Sequence, residues 1–220
     1  MDKNNSYKVM VIAALVIGVV ALSVGFAAFS RSLTITNSIA TYKATDKDLK
    51  VNFSTSNTET VGGNVTGVLS GTGVVDTNAG TATINGATDT GFTNISGITA
   101  PFTKKGQKAT YTFYLNNDSD YTAYLKSASF ASPEKTCTAV DGTDATLVTN
   151  ACKDISLTLT IDNTKVLATD TTGFNAITLA AGDKKTVVVE VEYNGSNVLP
   201  DGDFNVAFGD ITLNFSTLEN

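Results

Sequence analysis

Residues 155–161 read Ile155-Ser156-Leu157-Thr158-Leu159-Thr160-Ile161, with four aliphatic side chains alternating with three hydroxyl-bearing ones. A strand sends successive side chains to opposite faces, so this period of two gathers the four aliphatics on one surface. The same alternation recurs along the chain. Leu33 and Ile35 alternate with Thr34 and Thr36, and Leu49, Val51 and Phe53 with Lys50, Asn52 and Ser54. Tyr111, Phe113 and Leu115 alternate with Thr110, Thr112 and Tyr114, and Val187, Val189, Val191 and Tyr193 share a parity opposite Glu190 and Glu192. Strands that are apolar on one side only imply packed antiparallel sheets. The predicted core is Phe113, Leu115, Leu157, Leu159, Val189, Val191 and Leu213.

Composition agrees. Thr, Ser, Asn and Gly are abundant, 16% of residues are charged, and Trp and His are absent. Thr, Val, Tyr and Phe suit half-buried strands, and Gly and Asn suit tight turns. The expected fold is all-β: an antiparallel two-sheet sandwich, jelly-roll-like, preceded by an N-terminal hydrophobic signal or anchor helix. The net charge of −6 argues against a nucleic-acid partner, which requires clustered Lys and Arg.

The N-terminus carries the export reading. Lys3 and Lys8 precede a run from Val9 to Phe29 without charge, and Arg31 follows. A secretory signal has this basic, apolar and small-residue order, and Gly25, Ala27, Ala28 and Ser30 supply the small residues. About 20 apolar residues also span a bilayer, so both a cleaved signal and a retained anchor fit the segment. The expected organisation is therefore 1–29 as signal peptide or membrane anchor and 30–220 as one β-sandwich domain. An exported chain with two cysteines, Cys137 and Cys152, is expected to pair them in a disulfide.

Two regions depart from simple alternation. From about 55 to 100 the chain is Gly/Thr-rich, read as a decorated loop or a pair of weak edge hairpin strands, with turns at Asn78-Ala79-Gly80 and Asn85-Gly86. Near the C-terminus Phe204, Val206 and Phe208 share one parity and Ile211, Leu213 and Phe215 the other. A bulge or turn at Gly209-Asp210 would restore a common face.

Without His the chain has no His general base, no Ser-His-Asp triad and no His-Glu-x-x-His zinc motif. No phosphate-cradling glycine loop follows a strand. The reading is of a protein that is not an enzyme and carries no cofactor. Asp118 and Asp120, Asp141 and Asp144, and Asp201 and Asp203 form close carboxylate pairs in loops, where turn-forming Asp and calcium-binding oxygens both fit.

The stretch Ser23-Val-Gly-Phe-Ala-Ala-Phe-Ser30, the run Phe102-Thr-Lys-Lys-Gly-Gln-Lys-Ala-Thr-Tyr-Thr-Phe-Tyr-Leu-Asn-Asn117, the segment Tyr121 to Phe130, and the pairing of Val187–Tyr193 with Ile211–Ser216 resemble the TasA/camelysin family of bacterial biofilm-matrix and surface proteins. The resemblance implies a jelly-roll-like sandwich, removal of the signal by a signal peptidase, and assembly of identical subunits into extracellular fibres through an N-terminal strand donated to a neighbour. Leu33 and Ile35 are then the assembly-strand residues, and the location is extracellular or at the cell envelope. The alternative is a membrane-anchored monomeric adhesion or binding protein. A pilin-like subunit is a further alternative, weakened by the absence of the expected Glu and preceding Gly at the start of the apolar run.

Overall fold

The computed structural model describes residues 30–36 and 39–44 as strand backbone, and residues 49–87, 91–140, 142–195, 200 and 202–219 with their side chains. The expected signal or anchor segment lies outside these residues, as do Asp141 and Asp201. In chain order the strands are β1 (Ser30–Thr36), β2 (Ile39–Ala44), β3 (Val51–Ser54), β4 (Gly63–Gly71), β5 (Asn78–Ala87), β6 (Gly91–Ser96), β7 (Gln107–Asn117), β8 (Ala123–Phe130), β9 (Lys135–Ala139), β10 (Ile155–Ile161), β11 (Thr164–Ala168), β12 (Thr178–Leu179), β13 (Lys184–Tyr193), β14 (Phe204–Phe208) and β15 (Ile211–Ser216). A helix, α1 (Ala145–Lys153), falls between β9 and β10.

The described strands pair antiparallel. One sheet has the order β12-β8-β15-β1-β2. The larger has the order β11-β10-β13-β7-β4-β5-β6, with β3 sharing the β4 side of β7. A separate ribbon joins β14 to β9. β2 runs beside β6, so the two large sheets curl toward each other into a sandwich-like half-barrel. One apolar cluster joins them, drawing Phe113, Leu159 and Val189 from the larger sheet and Leu125, Leu213 and Phe215 from the other.

The period-two reading holds residue by residue in the centre. All seven predicted core residues are buried. β10 alternates buried and half-buried positions along its whole length, with Ile155, Leu157, Leu159 and Ile161 inward. Its hairpin to β11 turns at Asp162 and Asn163, both at positive φ (46° and 62°), the twist that a two-residue hairpin requires. Burial pushes the Asp162 carboxyl up, but the Lys185 ammonium at 2.9 Å and the Thr186 amide outweigh it and hold it below its ordinary 3.8. Strand β3 departs from the half-buried expectation, because Asn52 and Ser54 on its outer face are covered as well. The segment after it folds back, and the Ser54 hydroxyl donates to Glu59 O at 2.8 Å.

The central pair β7–β13 is pinned at its ends by buried amides. Gln107 Oε1 accepts from the amides of Thr103 (2.7 Å) and Lys104 (3.0 Å), while its Nε2 donates to Thr72 O. At the other end, Asn117 Nδ2 donates to Tyr121 O, Leu179 O and Ala180 O. Both amides are fully used, so their burial carries no desolvation debt.

The Gly/Thr-rich region is not a loop. It supplies three consecutive strands, β4, β5 and β6, that extend the larger sheet. The expected turn at Asn85-Gly86 is instead a register irregularity within β5, and Asn78-Ala79-Gly80 opens β5, the β4–β5 connection lying before it. The glycine content has a packing cause. Gly67 and Gly80 are opposite one another across β4 and β5, and a Cβ on Gly67 would stand 2.3 Å from Tyr111 Cζ. The Tyr111 ring fills that space, and its hydroxyl donates to Ala79 O or Thr99 O, each at 3.0 Å. Gly67→Ala should therefore cost about 1–3 kcal/mol through overpacking against a buried ring, measured as a shift in urea midpoint at unchanged slope.

The parity change near the C-terminus marks a change of sheet rather than a bulge within one strand. β14 pairs with β9 in the ribbon, and β15 enters the smaller sheet between β8 and β1. At the crossing the Gly209 amide donates to Glu134 O at 2.8 Å, and a Cβ on Gly209 would lie 2.3 Å from Ala131 O. Glycine lets the two backbones approach there.

Candidate functional site

β1 is the first described strand, and it lies against β15, the last. Leu33 is in register with Leu213 and Ile35 with Ile211, while β2 covers the other edge of β1. Leu213 and Ile211 are both buried. The two sequence-derived assembly residues thus occupy register positions beside Leu213 and Ile211 in the same sheet.

Cys137 and Cys152 are joined, with Cα atoms 6.0 Å apart. Cys137 belongs to β9 and Cys152 to α1, an element that the all-β reading did not include. Its start is locally encoded: Asp144 Oδ1 accepts from the amides of Thr146 (2.7 Å) and Leu147 (3.2 Å), satisfying two donors of the first turn. The buried residues of α1 are Val148 and Ala151. The disulfide therefore staples the β9–β14 ribbon to the helix, and Lys135 ties the ribbon to the larger sheet by donating to Ile155 O at 2.7 Å and pairing with Asp170 at 3.2 Å. Replacing both cysteines by Ser should lower stability by about 3 kcal/mol on loop-closure grounds, read by denaturant titration against the oxidised parent. A variant as stable as the parent would mean that the ribbon holds without its staple.

Between this ribbon and the larger sheet lies a half-open cleft of about 540 Å³. The segment carrying Ile98 and Phe102 forms one wall. Leu157, Val191 and Tyr193 line it from β10 and β13, and Phe204, Val206 and Phe208 from β14. The β14 residues are only half-buried, because they face this space. Ile211, the register partner of Ile35, also lines it.

Tyr193 is the unusual member of the lining. The residue is 1% exposed, its ring lies 6.0 Å from that of Phe102, and among the described residues its hydroxyl has no hydrogen-bond partner. Burial, and secondarily the negative charge of Asp154, push its ionisation above the ordinary 10.0. The phenol is therefore neutral and a hydrogen-bond donor at any physiological pH. Sequence periodicity placed Tyr193 on the inward face of its strand, but a period of two carries no information about whether a hydroxyl finds a partner.

No family model, no curated protein and no solved structure matches this chain.

Of these loop pairs, Asp118, Asp144 and Asp203 have described hydrogen bonds. Asp118 accepts from Asn52 Nδ2 and Thr60 Oγ1, each at 2.7 Å, Asp144 caps α1, and the Asp203 backbone carbonyl accepts from Val140 and Thr143. Among the described residues no three His, Cys, Asp or Glu side chains gather as a metal-binding group. No helix among them is long and apolar enough to cross a membrane.

Proposed function

We propose that the chain is a secreted, non-enzymatic structural subunit of an extracellular fibre or biofilm matrix, of the TasA/camelysin kind. Its sandwich is of jelly-roll type, and it assembles by exchange of β1 between identical copies. The observation that carries this reading is the register of β1 on β15. Strand β1 can be replaced on β15 by the same strand of another copy, with the main-chain hydrogen bonds to β15 kept. Such strand addition draws affinity from the backbone and specificity from alternate side chains. Head-to-tail exchange does not close, so its product is a filament.

The disulfide supports an oxidising destination, because such bonds persist outside the cytosol. The membrane-anchored monomer is the second reading, favoured by the length of the Val9 to Phe29 run, which is sufficient to span a bilayer. N-terminal sequencing of the protein recovered from its host, together with electron microscopy of the same material, separates the two. A mature terminus near Ala28 and unbranched fibres support the subunit. A chain that keeps residues 9–29 and stays monomeric in the membrane fraction overturns it.

A further inference from the structure

We propose that the cleft beneath the β9–β14 ribbon is a binding site for a small, uncharged, largely apolar molecule with one hydrogen-bond acceptor, and that the Tyr193 hydroxyl is the donor that orients it. The cleft's size comes first. The half-open space of about 540 Å³, walled by Phe102, Phe204, Val206 and Phe208, falls in the range of small-molecule pockets.

The second ground is the orphan hydroxyl. A buried polar group without a partner costs free energy comparable to a lost hydrogen bond, and such groups are rare enough to require a reason. The phenol is also fixed as a donor, since the Asp154 charge and burial both oppose its ionisation. Tyr193 lines the cleft, and a carbonyl or ether oxygen bound against it would complete the hydroxyl.

Charge narrows the class. Among the described residues no Lys or Arg lines the cleft and Asp203 does, while Asp154 near Tyr193 is paired with Lys105 at 4.0 Å. Carboxylates and phosphates find no counter-ion in that lining and meet Asp203. The aromatic walls favour a ligand with ring or flat apolar surface. The site is also held open by independent attachments: the disulfide and Lys135 fix the ribbon, while Tyr193 belongs to the central strand pair. A wall fixed in this way need not be ordered by the ligand, which lowers the cost of binding.

Benzophenone is a suitable probe, having two rings, one ketone oxygen and light-activated insertion into neighbouring C–H bonds. The oxidised full chain is irradiated with increasing benzophenone, and adducts are located by peptide mass spectrometry. Saturable labelling is expected on peptides containing Phe102 and Phe204–Phe208. Diphenylmethane, which lacks the oxygen, should compete about fivefold less well than unlabelled benzophenone, the value of one ordinary hydrogen bond. In Tyr193→Phe that difference should vanish while thermal stability is kept, because the oxygen removed has no partner among the described residues. Val206→Trp, filling the space, should abolish saturable labelling. Adducts that do not saturate or that scatter outside the cleft, as in a site holding water alone, would overturn the proposal. So would a Tyr193→Phe protein that still prefers the ketone. Labelling that is present in monomers and lost in fibres would assign the cleft to a second copy of the chain and overturn it equally. Fibre formation is not needed for any positive outcome, so failure here leaves the subunit reading standing, and the converse holds.

Discussion

Phe113→Ala should destabilise the domain by about 3–5 kcal/mol, the range for deleting a large aromatic from a packed core. Phe113 is fully buried on β7, in register with Val187 on β13, and its ring lies parallel to that of Tyr111 at 6.4 Å. Its loss opens a cavity between elements that the backbone holds together on both sides, since β13 flanks one edge of β7 and β3 and β4 the other. Such a site cannot collapse cheaply, which places the cost toward the upper end. Thr112→Ala, on the exposed face of the same strand, should move stability by no more than about 0.5 kcal/mol. Urea unfolding of the two variants gives the comparison directly. Equal effects at 112 and 113 would mean that the faces of β7 are misassigned.

The contrast between those two residues shows why the sheets were legible in the sequence. Alternation is a statement about faces, and burying one face is what these strands do, so Tyr111, Phe113, Leu159 and Val189 could be placed inward from parity alone. Parity also registered the switch at Gly209, though not its meaning. A bulge and a change of sheet both invert the pattern, and only the partners of β14 and β15 separate them. The region from 55 to 100 was harder for a different reason. Its glycines look like loop composition, yet Gly67 is required by the Tyr111 ring, a residue of another strand far along the chain. Local composition cannot report a distant side chain. The helix was missed although Asp144 marked its start, because a single polar cap before Ala145 is common in turns too. The cleft lay beyond the sequence altogether, since it arises where three separate segments fail to fill the space between them.

The largest expected effect is on assembly. Changing Leu33 and Ile35 together to Asp should abolish fibres in electron micrographs while leaving a folded, cooperatively unfolding monomer. These positions are in register with Leu213 and Ile211, at 0% and 1% exposure, so each substitution sets a carboxylate opposite a buried apolar position. An unpaired charge there is penalised far beyond the small gain of any one cross-strand contact. Main-chain hydrogen bonds alone do not compensate, because an unpaired strand makes them equally well with water. The described core also draws on β7, β10 and β13, strands of the other sheet. A chain lacking residues 30–37 should behave in the same way, and it leaves an edge of β15 open. A synthetic peptide with the native 30–37 sequence should then bind that chain with one-to-one stoichiometry, and the Leu33→Asp, Ile35→Asp peptide should not. An exposed sheet edge invites pairing with any strand, so the substituted peptide is the control that separates register-specific insertion from edge stickiness. If the substituted chain polymerises like the parent, or both peptides bind alike, β1 is not the exchanged strand.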